Sequence, residues 1–335
     1  MFFDPSFSEL HVKVHDLPHP DWQRVHAWER AEVEHKDAED FWRRFVADWL
    51  SRLADTLGLG YDVRESANFF LLSDGGESSD RDRLKVLERM RREMLAVFGE
   101  RILPRGTVGK HVVMLFSNEA DYSRYYARYA PDGETAITGG VCIFSGYVHI
   151  AIPRSEQIDA AFAHEFSHNL TFHLPLPPWL NEGIAMYIEQ RIGGGATPHA
   201  SELIETRSYW TPATIQEFWS GAAFRSVDGQ KAAYALAAML FRTILMDLRP
   251  TPEALQKFVL ASDCHDAGTN ACKRYLGESV ENIAAILLGD ADWSPKPESW
   301  PTAAAIEPRA DEPEDLDGEL DQNGFLWPKG MRPDS

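Results

Sequence analysis

The chain has 335 residues, 44% of them hydrophobic, so it can bury a substantial core as one large unit or two smaller ones. A formal charge of −19 leaves no basic stripe for a phosphate backbone and excludes nucleic acid as the expected partner. Cys142, Cys264 and Cys272 are odd in number and lack any C-x-x-C spacing, which argues against a disulfide framework or a thiolate zinc site and for a reducing compartment.

The opening "MFFDPSFSELHVKV" has neither the basic start nor the apolar run of a signal peptide, and no later stretch is long enough for a membrane span. A cytoplasmic location and no membrane association are therefore expected. Apolar residues then recur from Ala38 through Phe41, Trp42, Phe45, Trp49 and Leu53 to Leu57, the period of an amphipathic helix that Gly58 and Gly60 would end. Residues 1–60 read as an N-terminal helical extension.

"SANFFLLSD" predicts a strand, and Leu84, Leu87, Met94, Leu95 and Phe98 mark a second helix. The acidic turn between them, "DGGESSD", lacks calcium-loop spacing and reads as a solvated loop. "HVVMLF" at 111–116 is apolar on both faces and suits a central strand. "GGVCIFSGYVHIAI" predicts a hairpin, followed by a helix with Ser155 as N-cap. Beyond Gly195 the pattern turns helical, with an amphipathic segment from Gln230 to about Leu248. From Trp293 onward, proline and the acidic run "DEPEDLDGELD" predict a mobile tail over 294–335.

The chemistry concentrates in "AFAHEFSHNLTFHLPLPPWLNEGIAMYIE", residues 161–189. On a helix, residues four apart lie about 6 Å along the axis and roughly 40° around it, so His164 and His168 present their imidazoles to one point, as two ligands of a zinc ion would. Glu165 projects away from His164 and suits a general base acting on water at the metal. Catalytic zinc takes three protein ligands and an open position. Proline ends the first helix within "LPLPP", Pro178 suits the first turn of the next, and that helix presents Glu182 as third ligand. Gly183 would let the second helix approach the first. Hydrolysis is the natural reaction of such a centre, one Zn2+ per chain.

These residues resemble a zinc metallopeptidase of the gluzincin group, specifically the peptidase MA-like families with H-E-x-x-H followed by W-L-x-E-G-x-A; "PWLNEGIA" also matches the third-ligand motif of the M1 aminopeptidases. The resemblance spans about 61–260. It implies zinc on His164, His168 and Glu182, water activation by Glu165, a peptide or protein substrate, and "YVHIAI" as the cleft-side edge strand. Tyr234 matches a position where relatives stabilise an oxyanion, although a helical tyrosine on an apolar face is otherwise a core residue. His149 reads as a polar residue on an exposed strand face, with cleft lining as the alternative. His173 reads as a cationic helix end rather than a metal ligand. Tyr187 and Glu189 belong either to the support of the ligands or to the surface.

Three features depart from the M1 or thermolysin-like pattern. Only thirteen residues separate His168 from Glu182, "TGGVCIF" stands where M1 enzymes carry Gly-Ala-Met-Glu-Asn, and no Asp follows Glu182 by four residues. The expected architecture is α+β: a zincin-like mixed-sheet lobe with metal-binding helices over 61–192, then a mainly helical lobe over 193–293. The competing reading is a catalytically inactive zincin-like protein that holds metal for stability or partner binding. The sequence assigns no oligomeric state.

Overall fold

The computed structural model describes residues 5–58, 60–103, 109–129, 139–195, 200–300, 318–320 and 326–328. It is an α+β fold built on a five-stranded mixed sheet. A 3-10 turn (Pro5–Leu10) leads into a hairpin that composition did not signal, β1 (His11–Val14) and β2 (Leu17–Pro20), followed by α1 (Trp22–Glu32) and the predicted long helix α2 (Ala38–Leu57), which Gly58 caps at φ 100°. Next come β3 (Asp62–Glu65), β4 (Phe69–Ser73), α3 (Gly76–Phe98), β5 (His111–Phe116), α4 (Glu119–Tyr126), β6 (Val141–Ile143) and β7 (His149–Pro153). The helical periods over 38–57 and 84–98 and the apolar run at 111–116 are reproduced, but "DGGESSD" is not a solvated loop: α3 already begins at Gly76, and Asp80 is buried, accepting a hydrogen bond from Ser73 Oγ at the end of β4.

The sheet order is β3-β4-β5-β7-β6, with β4, β5 and β7 parallel and both outer strands antiparallel. One expectation is overturned here. "YVHIAI" is not the edge strand: β7 pairs with β5 on one side and β6 on the other, so the cleft-side edge is Val141–Ile143. Burial on both faces of β7 explains its internal position, because a strand that is apolar throughout is stable only between neighbours.

Side-chain alternation divides the interior. Phe69, Leu71, Val113, Ile150 and Ile152 face α3 and the helical half, whereas Phe70, Leu72, Val112, Met114 and Phe116 face the N-terminal segment, where Phe45, Trp49 and Leu53 of α2 pack on them. The described part of the segment read as an extension, residues 5–58, therefore contributes the cover of one sheet face.

After β7 the described chain is helical: α5 (Ile158–Thr171), α6 (Pro178–Arg191), α7 (Ala200–Tyr209), α8 (Ile215–Trp219), α9 (Gln230–Thr243), α10 (Pro252–Ala261), α11 (Thr269–Leu276) and α12 (Val280–Leu288). A π-helical turn, Ile244–Leu248, completes the amphipathic stretch begun by α9. Among the described residues no helix is long and apolar enough to cross a membrane.

The onset of the tail also needs correction. Trp293 is buried, and Gln216 of α8 holds the next residues: its amide donates to the Ser294 carbonyl (2.8 Å), while its carbonyl accepts from the Lys296 amide (2.8 Å) and Trp300 Nε1 (3.0 Å). Residues 294–300 are docked. Two short strands, β8 (Gly318–Leu320) and β9 (Leu326–Pro328), pair antiparallel; the rest of the predicted tail lies outside the described residues.

Candidate metal centre

On α5 the apolar positions Ala160, Phe162, Ala163, Phe166 and Leu170 are buried, which turns His164, Glu165 and His168 toward the opposite side of the helix. The helix begins at Ile158, not at the predicted Ser155 cap; Ser155 Oγ instead accepts the Gln157 amide in the turn before it. Asp159 in the first turn pairs with Arg83 of α3, fixing the helix start against the sheet lobe. The prolines then end α5, and Pro178 occupies the first turn of α6 as expected.

The two helices bring three donors together. His164 Nε2 and His168 Nε2 are 3.2 Å apart, and Glu182 Oε2 lies 3.5 Å from the first and 3.6 Å from the second. Tetrahedral zinc with bonds of about 2.0–2.1 Å requires ligand atoms about 3.3 Å apart, so the donor triangle has the size of a zinc site. Glu182 Oε2 is buried and makes no hydrogen bond of ordinary geometry among the described residues, although a buried carboxylate oxygen normally finds a partner. A cation between the three atoms would supply one.

Electrostatics point the same way. Burial disfavours charge on His164, but the Glu182 and Glu189 carboxylates override it and hold the imidazole up to about 10. Burial likewise opposes ionisation of Glu182, and the His168 and His164 imidazoles nevertheless keep its carboxyl below the ordinary value. A divalent cation would replace those protons.

Glu189 lies two helical turns beyond Glu182, and its Oε2 is 3.0 Å from His164 Nδ1. A proton on Nδ1, donated to that carboxylate, leaves the Nε2 lone pair for the metal. Glu189 thus orients the His164 ring, while Tyr187, two residues earlier, packs edge-on against Phe241 of α9, with ring centroids 5.6 Å apart. The sequence signal was available as i, i+7 spacing on one helix face.

Further contacts set the angle between the helices. Thr171 Oγ1 at the end of α5 donates to Asn181 Oδ1 (2.9 Å), next to Glu182. The connecting turn is braced from outside: the Cys264 amide donates to the Pro175 carbonyl (2.8 Å), and Trp179 Nε1 to the Ala267 carbonyl (3.0 Å). Gly183 has a different role from the predicted one. A Cβ there would stand 2.8 Å from the Ala237 carbonyl oxygen and 3.0 Å from Phe241 Cβ, so it allows close approach of α6 to α9, not to α5.

The donors open into a cavity of about 790 Å³ between β6, α5, α6 and α9, which also admits Glu165 and Tyr234. Gly140, just before β6, passes over Glu165; a Cβ there would be 3.3 Å from Glu165 Cγ and 3.0 Å from Ile152 Cγ1. Burial, then the Glu182 and Glu165 charges, push the Tyr234 phenol far above its usual range, so it remains an O–H donor.

Two histidine expectations change. His149 is neither exposed nor in the cleft: it is buried on the opposite sheet face, its Nδ1–H donating to the Tyr147 carbonyl (2.6 Å) and Nε2 accepting from the Tyr125 hydroxyl (2.7 Å). Burial pulls His149 down to about 4 and His173 likewise to about 4, so His173 is a neutral ring rather than a cationic helix end. Asp263, Cys264 and His265 form another close group, but their polar atoms serve each other in one turn, with His265 Nδ1 2.5 Å from Asp263 Oδ1. No family model matches the chain, and no curated protein matches it, so the reading of the centre stands on its geometry.

Proposed function

We propose that the protein is a zinc-dependent metallopeptidase acting on peptide or protein substrates in the cytoplasm. The observation that carries the reading is the triangle of His164 Nε2, His168 Nε2 and Glu182 Oε2, 3.2–3.6 Å on a side, at the floor of a cleft that also holds a half-buried carboxylate, Glu165. Three free cysteines support the reducing compartment.

Zinc bound to these three side chains would supply Lewis acidity toward a substrate carbonyl and make water acidic enough to lose a proton near neutral pH. The chain's own groups do the rest. Glu165 accepts the proton of the attacking water and returns it to the leaving amine. Tyr234, kept protonated, donates its hydroxyl to the oxygen that gains charge as the carbonyl becomes tetrahedral. Glu189 keeps His164 in the tautomer that binds metal, and retention of a cleft carboxylate that is not itself a ligand favours turnover over a merely structural site.

Metal analysis together with cleavage of a peptide library by the native chain and by Glu165→Gln tests this. One zinc per chain in both proteins and a loss of at least about 100-fold in kcat/KM for the variant are expected. Equal, nonzero cleavage by both would remove Glu165 from the mechanism.

A further inference from the structure

Four carboxylates line the described wall of the cleft, Glu156, Glu165, Glu182 and Glu189, and no lysine or arginine does. Even with a dication bound and both imidazoles neutral, the wall keeps two negative charges in excess. Basic side chains close to it are committed elsewhere. Arg154 pairs with Asp74 at 2.5 Å, Arg83 pairs with Asp159, Lys231 pairs with Glu205 at 3.2 Å, and the Arg191 guanidinium lies over the Tyr187 ring at 6.0 Å.

The charge is not spread evenly along the cleft. Glu156 is exposed just ahead of α5, and Glu189 reaches back to His164 from the far half of α6, so both lie toward the start of α5. The other end is formed by Phe144, whose ring packs on Phe172 at the close of α5 with centroids 6.0 Å apart. A ligand lying along the cleft meets negative potential at one end and an aromatic pair at the other. Low-dielectric walls focus such a field, so a cation there is favoured in both encounter and binding.

Resting on the peptidase reading, we propose that the cleft selects peptides carrying a lysine or arginine on the side of the scissile bond that faces Glu156 and Glu189, with Glu156 as a specificity-determining residue. Glu165, Glu182 and Glu189 have other duties at the centre, whereas Glu156 touches no ligand and is free to face substrate.

The test uses the zinc-loaded full chain and a set of fluorogenic peptides identical except for Lys, Arg, Leu or Glu at single positions flanking the scissile bond. Binding of the Lys and Glu peptides to Glu165→Gln, followed by fluorescence anisotropy, gives a readout independent of turnover. At one flanking position, kcat/KM and affinity should be on the order of tenfold higher for Lys or Arg than for Glu, and added salt should shrink the ratio. Glu156→Lys should collapse the ratio while cleavage of the Leu peptide is retained. A ratio near one at every position, with the Leu peptide still cleaved, overturns the charge selection and leaves the peptidase reading intact. No cleavage of any peptide by the loaded chain overturns the peptidase reading and this inference with it.

Discussion

Glu189 Oε2 sits 3.0 Å from His164 Nδ1, whereas His168 Nδ1 is buried without a hydrogen-bond partner among the described residues, so the two imidazoles of the centre are held unequally. His164 is oriented by a carboxylate; on the proposed reading, His168 would depend on packing and on a bound metal. Glu189→Ala should therefore weaken zinc binding by about 10–100-fold in competition with a chromogenic chelator, while the urea midpoint of the zinc-free chain stays close to native. Glu189→Gln, which can still accept the Nδ1 proton through its amide oxygen, should fall between. An unchanged zinc affinity in the alanine variant would show that His164 needs no such partner.

Removing the metal should leave a folded protein. The two apolar clusters on either side of the sheet are built from residues other than the three donors. Dialysis against a chelator is expected to preserve the far-ultraviolet circular dichroism spectrum while lowering the melting temperature, and zinc should restore it in a concentration-dependent way. Global unfolding on chelation would mark the site as structural.

Gly183→Ala is expected to destabilise the chain in spite of alanine's better helix propensity. The added methyl would sit 2.8 Å from the Ala237 carbonyl oxygen, and backbone on a packed helix cannot yield as a flexible side chain does. Overpacking of this kind costs about 1–3 kcal/mol, measurable as a lower urea midpoint. Because Glu182 is the preceding residue, zinc affinity should drop as well.

The histidines behind the sheet predict an acid-labile fold. His149 is held near 4 by burial against a hydrogen bond to the Tyr147 carbonyl, and His19 near 3 by burial with Arg128, His149 and His15 adding repulsion; His19 stacks on Tyr125. Both are neutral in the folded chain and titrate near 6.5 once unfolded, so the unfolded state binds more protons below that value. Their contribution is complete above about pH 6.5 and declines as pH falls toward about 4, by about 2 kcal/mol per imidazole at about pH 5. Urea titrations at about pH 7 and about pH 5 should show the loss, and His149→Gln should make the difference smaller. A stability that is flat over that interval would contradict the buried, neutral state of these rings.

Local order in the sequence carried most of the architecture. The helical period of 38–57, the doubly apolar 111–116, the hairpin and the i, i+4 histidines are short-range patterns, and each appears as an element with nearly the expected bounds. Misreadings arose where the deciding partner is distant in the chain. The internal rank of β7 depends on pairing with β5, some forty residues upstream, which no periodicity encodes. His149 reads as a surface residue until Tyr125 and Trp49 are packed on it. The docking of 294–300 rests on one glutamine about eighty positions earlier, and proline content alone pointed the other way. Glu189 falls between these cases: its helix was legible, its partner was not, because the crossing of α5 and α6 is set by braces at Pro175 and Trp179.

The five-stranded sheet also acts as an insulating wall. Neighbouring residues along a strand, such as Ile150 and Ala151, contribute to different interiors, one shared with α5 and α6 and one with α2. Repacking behind the wall can therefore change how tightly the protein is folded without disturbing the chemistry in front of it. Pairs of substitutions drawn from opposite sides should combine additively, giving this scaffold two compartments that can be altered one at a time.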